Sequence, residues 1–201
     1  MKTASKTIDY YYSHQSPWTY MGHARFLKMA KAAAAKVNFK PVDYGRIFPT
    51  SGGLPVNKRP PQRQAYRLVE LKRCSEHLGA KLNLNPKFFP VDSKPAALMA
   101  IAADKAGHDV GKLSGAIFAG CWAEERNIAD PNTLAKIADA QGLNGKKLMQ
   151  ASLAPEIAQI YDRYTGEAIE AQVFGAPWYV YAGEPFWGQD RLEMLERALR
   201  K

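Results

Sequence analysis

Strand-forming sequence is confined to the two ends of this 201-residue chain, and a long helical stretch separates them. Thr7–Ser13 is rich in aromatic residues and predicts a strand. The strand stops at His14-Gln15-Ser16-Pro17. Ser16 is placed to cap a helix whose first residue is Pro17, where a missing N–H costs nothing. Tyr20, Ala24 and Leu27 share one helical face and an alanine-rich tail follows, so the helix should run to about Lys36. Val37–Tyr44 predicts a second strand. A β-α-β unit of this kind brings two parallel strands together through a right-handed crossover. At the far end, two short aromatic runs flank Ala182-Gly183 as in a hairpin. Asp190 and Glu193 then resemble a capping box opening a last helix. The chain therefore opens on a β-α-β unit and closes on a short hairpin and a helix.

The middle has another texture. Gly45–Pro61 carries Pro49, Gly52, Gly53, Pro55, Pro60 and Pro61, which predicts a loop or lid. Helices are expected at about 61–78, 95–107, 110–125, 131–141, 144–152 and 155–171. Asp130-Pro131 and Ala154-Pro155 serve as starts, and Gly79, Gly107 and Gly142 as stops.

Charge narrows the partners. The chain holds 28 Lys+Arg against 19 Asp+Glu, a formal +9, which favours anions: nucleic acid, a membrane surface or a small acidic substrate. Residues 1–44 carry seven bases and two acids, whereas residues 171–201 are balanced at four each. Between residues 57 and 73, Lys58, Arg59, Arg63, Arg67, Lys72 and Arg73 face only Glu70. Arg59, Arg63 and Arg67 are spaced by four and would share a helix face, either as a solvated stripe or as an anion-facing one. No nucleic-acid recognition motif is present, and no apolar run approaches the roughly 18 residues of a membrane span. Met1–Lys6 leads directly into the first strand without an apolar leader, so a cytoplasmic location is expected. Cys74 and Cys121 form no CxxC pair and read as small buried hydrophobes. His14, His23, His77 and His108 lack metal-ligand spacing, so no metal is expected. A Ser16–His14 hydrolytic pair is conceivable, but no motif places an acid beside it.

Three stretches, in this order of elements, carry a resemblance. Ser16-Pro17-Trp18-Thr19 lies where redox proteins of the thioredoxin fold hold Cys-x-x-Cys. Phe174-Gly175-Ala176-Pro177 is similar to the loop bearing that fold's cis-proline. Phe186-Trp187-Gly188-Gln189-Asp190-Arg191-Leu192-Glu193 resembles a C-terminal signature. With Trp122–Ile128 in the helical part, the chain resembles, almost end to end, the DsbA-like family. Its nearest likeness there is to the 2-hydroxychromene-2-carboxylate isomerases, relatives of kappa-class glutathione transferases. The resemblance implies an α/β, thioredoxin-like fold with an inserted all-helical domain. Residues 1–44 and 171–201 would form the discontinuous thioredoxin-like domain and 45–170 the insertion.

It also implies a chemistry. Family members bind glutathione as a cofactor and use its thiol. The isomerases interconvert 2-hydroxychromene-2-carboxylate and trans-o-hydroxybenzylidenepyruvate in naphthalene breakdown. Such an enzyme must hold the sulfur as a thiolate, the nucleophilic form. Ser16 would donate its hydroxyl to that sulfur, and the start of the first helix would add N–H donors and the positive end of its dipole. Addition of sulfur to the conjugated substrate, rotation and elimination would complete the isomerisation. Ala176 and a cis Pro177 would offer backbone to the tripeptide as an added strand does. Gln189 and Asp190 would meet its γ-glutamyl end, and Asn57 would approach the thiol or the substrate. The remaining partner is a small aromatic carboxylate. Trp18 would line its pocket, and Arg63 or Arg67 would hold its carboxylate bidentately. Relatives suggest a homodimer. A kappa-like transferase would use the same site, and a non-enzymatic glutathione-binding protein would show no turnover. A disulfide oxidoreductase is disfavoured, because Ser16 and Thr19 replace both redox cysteines.

Overall fold

A computed structural model describes residues 6–201. Strand β1 (Thr7–Tyr12), helix α1 (Pro17–Ala32) and strand β2 (Lys36–Pro41) form the expected β-α-β unit, with β1 and β2 paired in parallel. Strands β3 (Trp178–Tyr181) and β4 (Glu184–Trp187) form the C-terminal hairpin. β3 lies antiparallel beside β1, so the sheet order is β2-β1-β3-β4 and the two ends of the chain share one sheet. This is the thioredoxin-like arrangement with helices inserted between the sheet's two halves.

The aromatic run of β1 explains its central place. Ile8, Tyr10 and Tyr12 point to one face and are fully buried, packed with Phe26 of α1, Tyr179 and Phe186 of the hairpin, and Leu195 and Leu199 of the last helix, α9 (Leu192–Leu199). Tyr10 stacks on Tyr179 with ring centroids 5.2 Å apart. Tyr11 points to the opposite face with Trp178, Val42 and Ile47. Burial on both faces is what a central strand requires, and each large apolar side chain so buried contributes about 1.5–3 kcal/mol.

The insertion comprises α2 (Tyr44–Ser51), α3 (Pro61–Leu78), α4 (Lys94–Lys105), α5 (Val110–Trp122), α6 (Pro131–Ala140), α7 (Gly145–Ser152) and α8 (Pro155–Glu170). It has its own core around Met99, Leu113, Ile117, Trp122, Leu134 and Ile137. The small residues of α4 (Ala96, Ala97, Ala100, Ala103) let its neighbours approach closely and are themselves buried. His23 joins the two parts: its Nε2–H donates to the Gly111 carbonyl on α5 at 2.8 Å, and Tyr10 Oη donates to its Nδ1 at 3.2 Å.

Several expectations are corrected. Gly45–Pro61 is not simply a loop, since α2 occupies its first part. The proline and glycine punctuation hid a capped, amphipathic turn: Asp43 accepts from the Gly45 amide at 2.8 Å, and Tyr44 and Ile47 are buried one turn apart. Helix α2 ends at Gly52, whose φ of 73° suits glycine. A short 3-10 turn, Val56–Lys58, precedes α3, so Arg59 lies outside the helix that carries Arg63 and Arg67. Helix α1 stops at Ala32 rather than Lys36, because Lys36 is already in the sheet, its amide bonded to the Lys6 carbonyl at 2.8 Å. Helix α5 stops at Trp122 rather than 125. Asp190 is not a helix cap either. It sits within a 3-10 turn, Gln189–Arg191, its carboxylate pairs with Arg191, and Arg191 occupies the N-cap position of α9.

Candidate active site

The sheet, the start of α1 and the first two inserted helices enclose a cavity of ≈ 680 Å³. Ser16 borders it. As the N-cap of α1, its backbone is extended and its Oγ accepts from the Thr19 amide at 3.2 Å. Pro17 follows at the first helical position and is buried. The first turn of α1 contains no acidic residue, so the positive end of the helix is unopposed. The Ser16 hydroxyl proton has only a long contact, 3.5 Å to the Ala176 carbonyl. It is thus free to turn toward a better acceptor in the cavity.

The second wall comes from the far end of the chain. The Ala176–Pro177 peptide is cis. Tyr44 Oη donates to the Gly175 carbonyl at 2.9 Å, tying this loop to α2. The Pro177 carbonyl accepts from the Gly188 amide at 2.9 Å. Gly188 has a φ of 98°, and a Cβ there would stand 2.4 Å from Asp190 Oδ1, so the connection after β4 needs glycine. Phe174 packs edge-on against Trp178 and Trp187, each at 4.7 Å between centroids, and Trp187 stays half-exposed at the cavity rim.

The third wall is basic. Arg59, Arg63 and Arg67 all border the cavity, and none forms an ion pair among the described residues. Arg59 Nε donates to the Leu54 carbonyl at 2.8 Å. Burial, reinforced by the charge of Arg59, pushes the Arg67 guanidinium down to about 10, still protonated at neutral pH.

Of the residues singled out in the sequence, Ser16, Trp18, Asn57, Arg63, Arg67 and Ala176 border this one cavity. Pro177 is buried directly behind Ala176. Gln189 and Asp190 do not border it. Gln189 is buried against α1, its Oε1 accepting from Arg25 at 2.7 Å, and Asp190 is exposed. Gln64, Phe48, Phe89 and Phe174 also border the cavity and were not anticipated. Phe174 lay within a quoted motif, but nothing in the sequence marks Phe89, which arrives from the segment before α4. His14 does not pair with Ser16. It is fully buried, its Nε2 lies 3.2 Å from Ser114 Oγ, and burial pushes its imidazole down to about 3. Cys121 is buried, its thiol pushed up to about 12, and burial also raises Cys74. Neither is an activated nucleophile. Among the described residues, no cluster of three or more His, Cys, Asp or Glu could hold a metal, and no helix is long and apolar enough to cross a membrane.

Comparison with known proteins adds three findings. The profile of the DSBA-like thioredoxin domain matches residues 7–200. A 2-hydroxychromene-2-carboxylate isomerase from Sphingobium xenophagum is 26% identical over 196 residues, 97% of this chain and 98% of that protein. Among solved structures, a 2-hydroxychromene-2-carboxylate isomerase matches with a TM-score of 0.76 at 24% identity, over 96% of this chain and 94% of that one. The cytosolic disulfide reductase DsbM from Pseudomonas aeruginosa, solved with GSH, matches with a TM-score of 0.70 at 16% identity, over 97% and 100%.

Proposed function

The chain belongs to the DSBA-like thioredoxin domain family, and from that premise we propose that it is a glutathione-dependent isomerase of the 2-hydroxychromene-2-carboxylate isomerase type. Its reaction would interconvert 2-hydroxychromene-2-carboxylate and trans-o-hydroxybenzylidenepyruvate. The observation that carries this reading is a serine, in place of a cysteine, at the open start of α1 where it borders the cavity. Isomerase-named relatives spanning nearly the whole chain support it.

The residues present fit glutathione. Ser16 has a hydroxyl proton engaged only at 3.5 Å, and the helix start adds a positive field. Both would stabilise a thiolate. Ala176, on the cis loop, would hold the tripeptide backbone, and Asn57 would reach it from the 3-10 turn opposite. Gln189 and Asp190 lie outside the cavity, Gln189 held by Arg25 and Asp190 by Arg191, so they would serve the γ-glutamyl end only if it extends past the cavity and displaces those partners. When bound, glutathione would supply a sulfur whose reversible addition to a conjugated carbon frees a double bond to rotate. Trp18 would pack the aromatic ring, and the basic wall of Arg63 and Arg67 would orient the carboxylate. The protein would work in the cytoplasm as a homodimer. A kappa-like transferase would share all of this but act on other electrophiles, so chromene isomerisation should be assayed beside conjugation of an aryl halide.

Ser16→Ala tests the reading directly. It should lower kcat by roughly 10²-fold or more, the scale for removing one donor to a developing anion, while weakening glutathione binding much less. Unchanged turnover would sink the role, and glutathione-independent turnover would sink the reading.

A further inference from the structure

Arg67 is the anomaly of the cavity. Its residue surface is only 9% exposed. Its Nη2 is buried with no hydrogen-bond partner. No carboxylate pairs with it among the described residues. What holds it is a pair of aromatic faces, Phe89 at 5.2 Å and Trp122 at 6.0 Å from the guanidinium carbon. Burying a cation without hydrogen bonds is costly, and stacking on rings recovers only part of that cost. The side chain also borders a second cavity of ≈ 270 Å³, lined by Leu68, Leu84, Asn85 and Pro86.

We infer that Arg67 is the carboxylate anchor of the substrate chamber, a guanidinium fork held against Phe89 and Trp122 that selects flat aryl acids over their neutral analogues. The role rests on reading this cavity as the substrate chamber, as proposed above, but not on the glutathione thiol. Arg63 is exposed, so a carboxylate bound there competes with water and salt and gains little. Arg59 already spends Nε on the Leu54 carbonyl. Arg67 has an unused buried donor, and the two rings hold its head group in place before a ligand arrives, so little side-chain entropy is lost on binding. Arg59 and Arg67 also repel each other, and an arriving anion relieves that repulsion.

The test uses unreactive planar probes, trans-2-hydroxycinnamate and its methyl ester, titrated calorimetrically into the full chain. The wild type should bind the acid at least tenfold more tightly than the ester. Arg67→Met, which keeps the apolar stem between the rings, should abolish that preference. Arg67→Lys, a charge without a fork, should restore part of it. Arg73→Met, which removes a positive charge from the same helix outside the cavity, should keep the preference. A wild type that fails to favour the acid, or an Arg67→Met that still favours it, overturns the inference. Loss of the preference in Arg63→Met but not in Arg67→Met overturns it as well. Titrating glutathione separates the two readings: failure to bind it removes the thiol reading and leaves the Arg67 preference standing.

Discussion

Two largely buried cations, Lys40 and Arg67, show how differently a fold can treat a positive charge. Lys40 on β2 donates to Asp9 at 3.0 Å and Glu167 at 2.8 Å. It also lies over the rings of Tyr11 and Tyr164. Burial alone would lower its pKa, but the two carboxylates outweigh that and raise it. Arg67 on α3 has the aromatic faces without the carboxylates, and its pKa falls. A cation whose partners are built in is part of the structure. One that is buried, stacked and left without an acceptor is poised for a partner from outside. Two histidines offer a third solution, which is to shed the proton. His14, just before α1, and His23, on α1, are both buried, and burial pushes them down to about 3 and about 4.

These three solutions respond differently to perturbation, and acid should produce the largest effect. His14 and His23 are neutral in the folded protein, while the unfolded chain takes up both protons below about pH 6.5. Their contribution is therefore complete above pH 6.5 and is lost as pH falls toward their folded values. At pH 4.5 each should have cost about 2–3 kcal/mol. The thermal midpoint should drop by about 10 °C or more between pH 7 and 4.5 for a chain of this size. His14→Leu should flatten roughly half of that slope, and a midpoint independent of pH over this range would refute it. Lys40→Met comes next. It strands two carboxylates that retain some solvent, so a loss of about 1–3 kcal/mol in urea unfolding is expected. Arg67→Met should be neutral or slightly stabilising in the same measurement, and equal losses for both variants would erase the distinction between them.

How much of this was legible in the sequence differs by region. The β-α-β unit and the hairpin were readable because alternating aromatics such as Tyr10 and Tyr179 leave few other homes for themselves. Ser16 was readable as a cap from Pro17 beside it, and as a site residue only through the family motif. Helix α2 was missed because Pro49 and Gly52 outweighed the Asp43 cap in a short window. The stripe of Arg59, Arg63 and Arg67 was visible, but its asymmetry was not. Which arginine is buried depends on Phe89 and Trp122, which are far from it in sequence and have no local signal. Asp190 illustrates the converse: a capping pattern that fits the spacing gave way to a 3-10 turn forced by Gly188.

The smallest expected effect on stability is also the most direct test of the contrast. Gln64 borders both cavities one helical turn before Arg67. Its Nε2 donates to the Arg59 carbonyl at 2.7 Å. Gln64→Glu would give Arg67 the internal carboxylate that Lys40 already has, at the favourable i,i+3 spacing. The lost bond to Arg59 costs about 1 kcal/mol, and the new pair offsets it, so stability should shift by less than about 1 kcal/mol. Preference for an aryl acid over its ester should nevertheless fall tenfold or more, because the anchor is then occupied from within. Adding Arg67→Met to Gln64→Glu should cause little further loss, since both changes remove the same interaction and cannot add. Fully additive losses would mean that the carboxylate is held elsewhere on the basic wall.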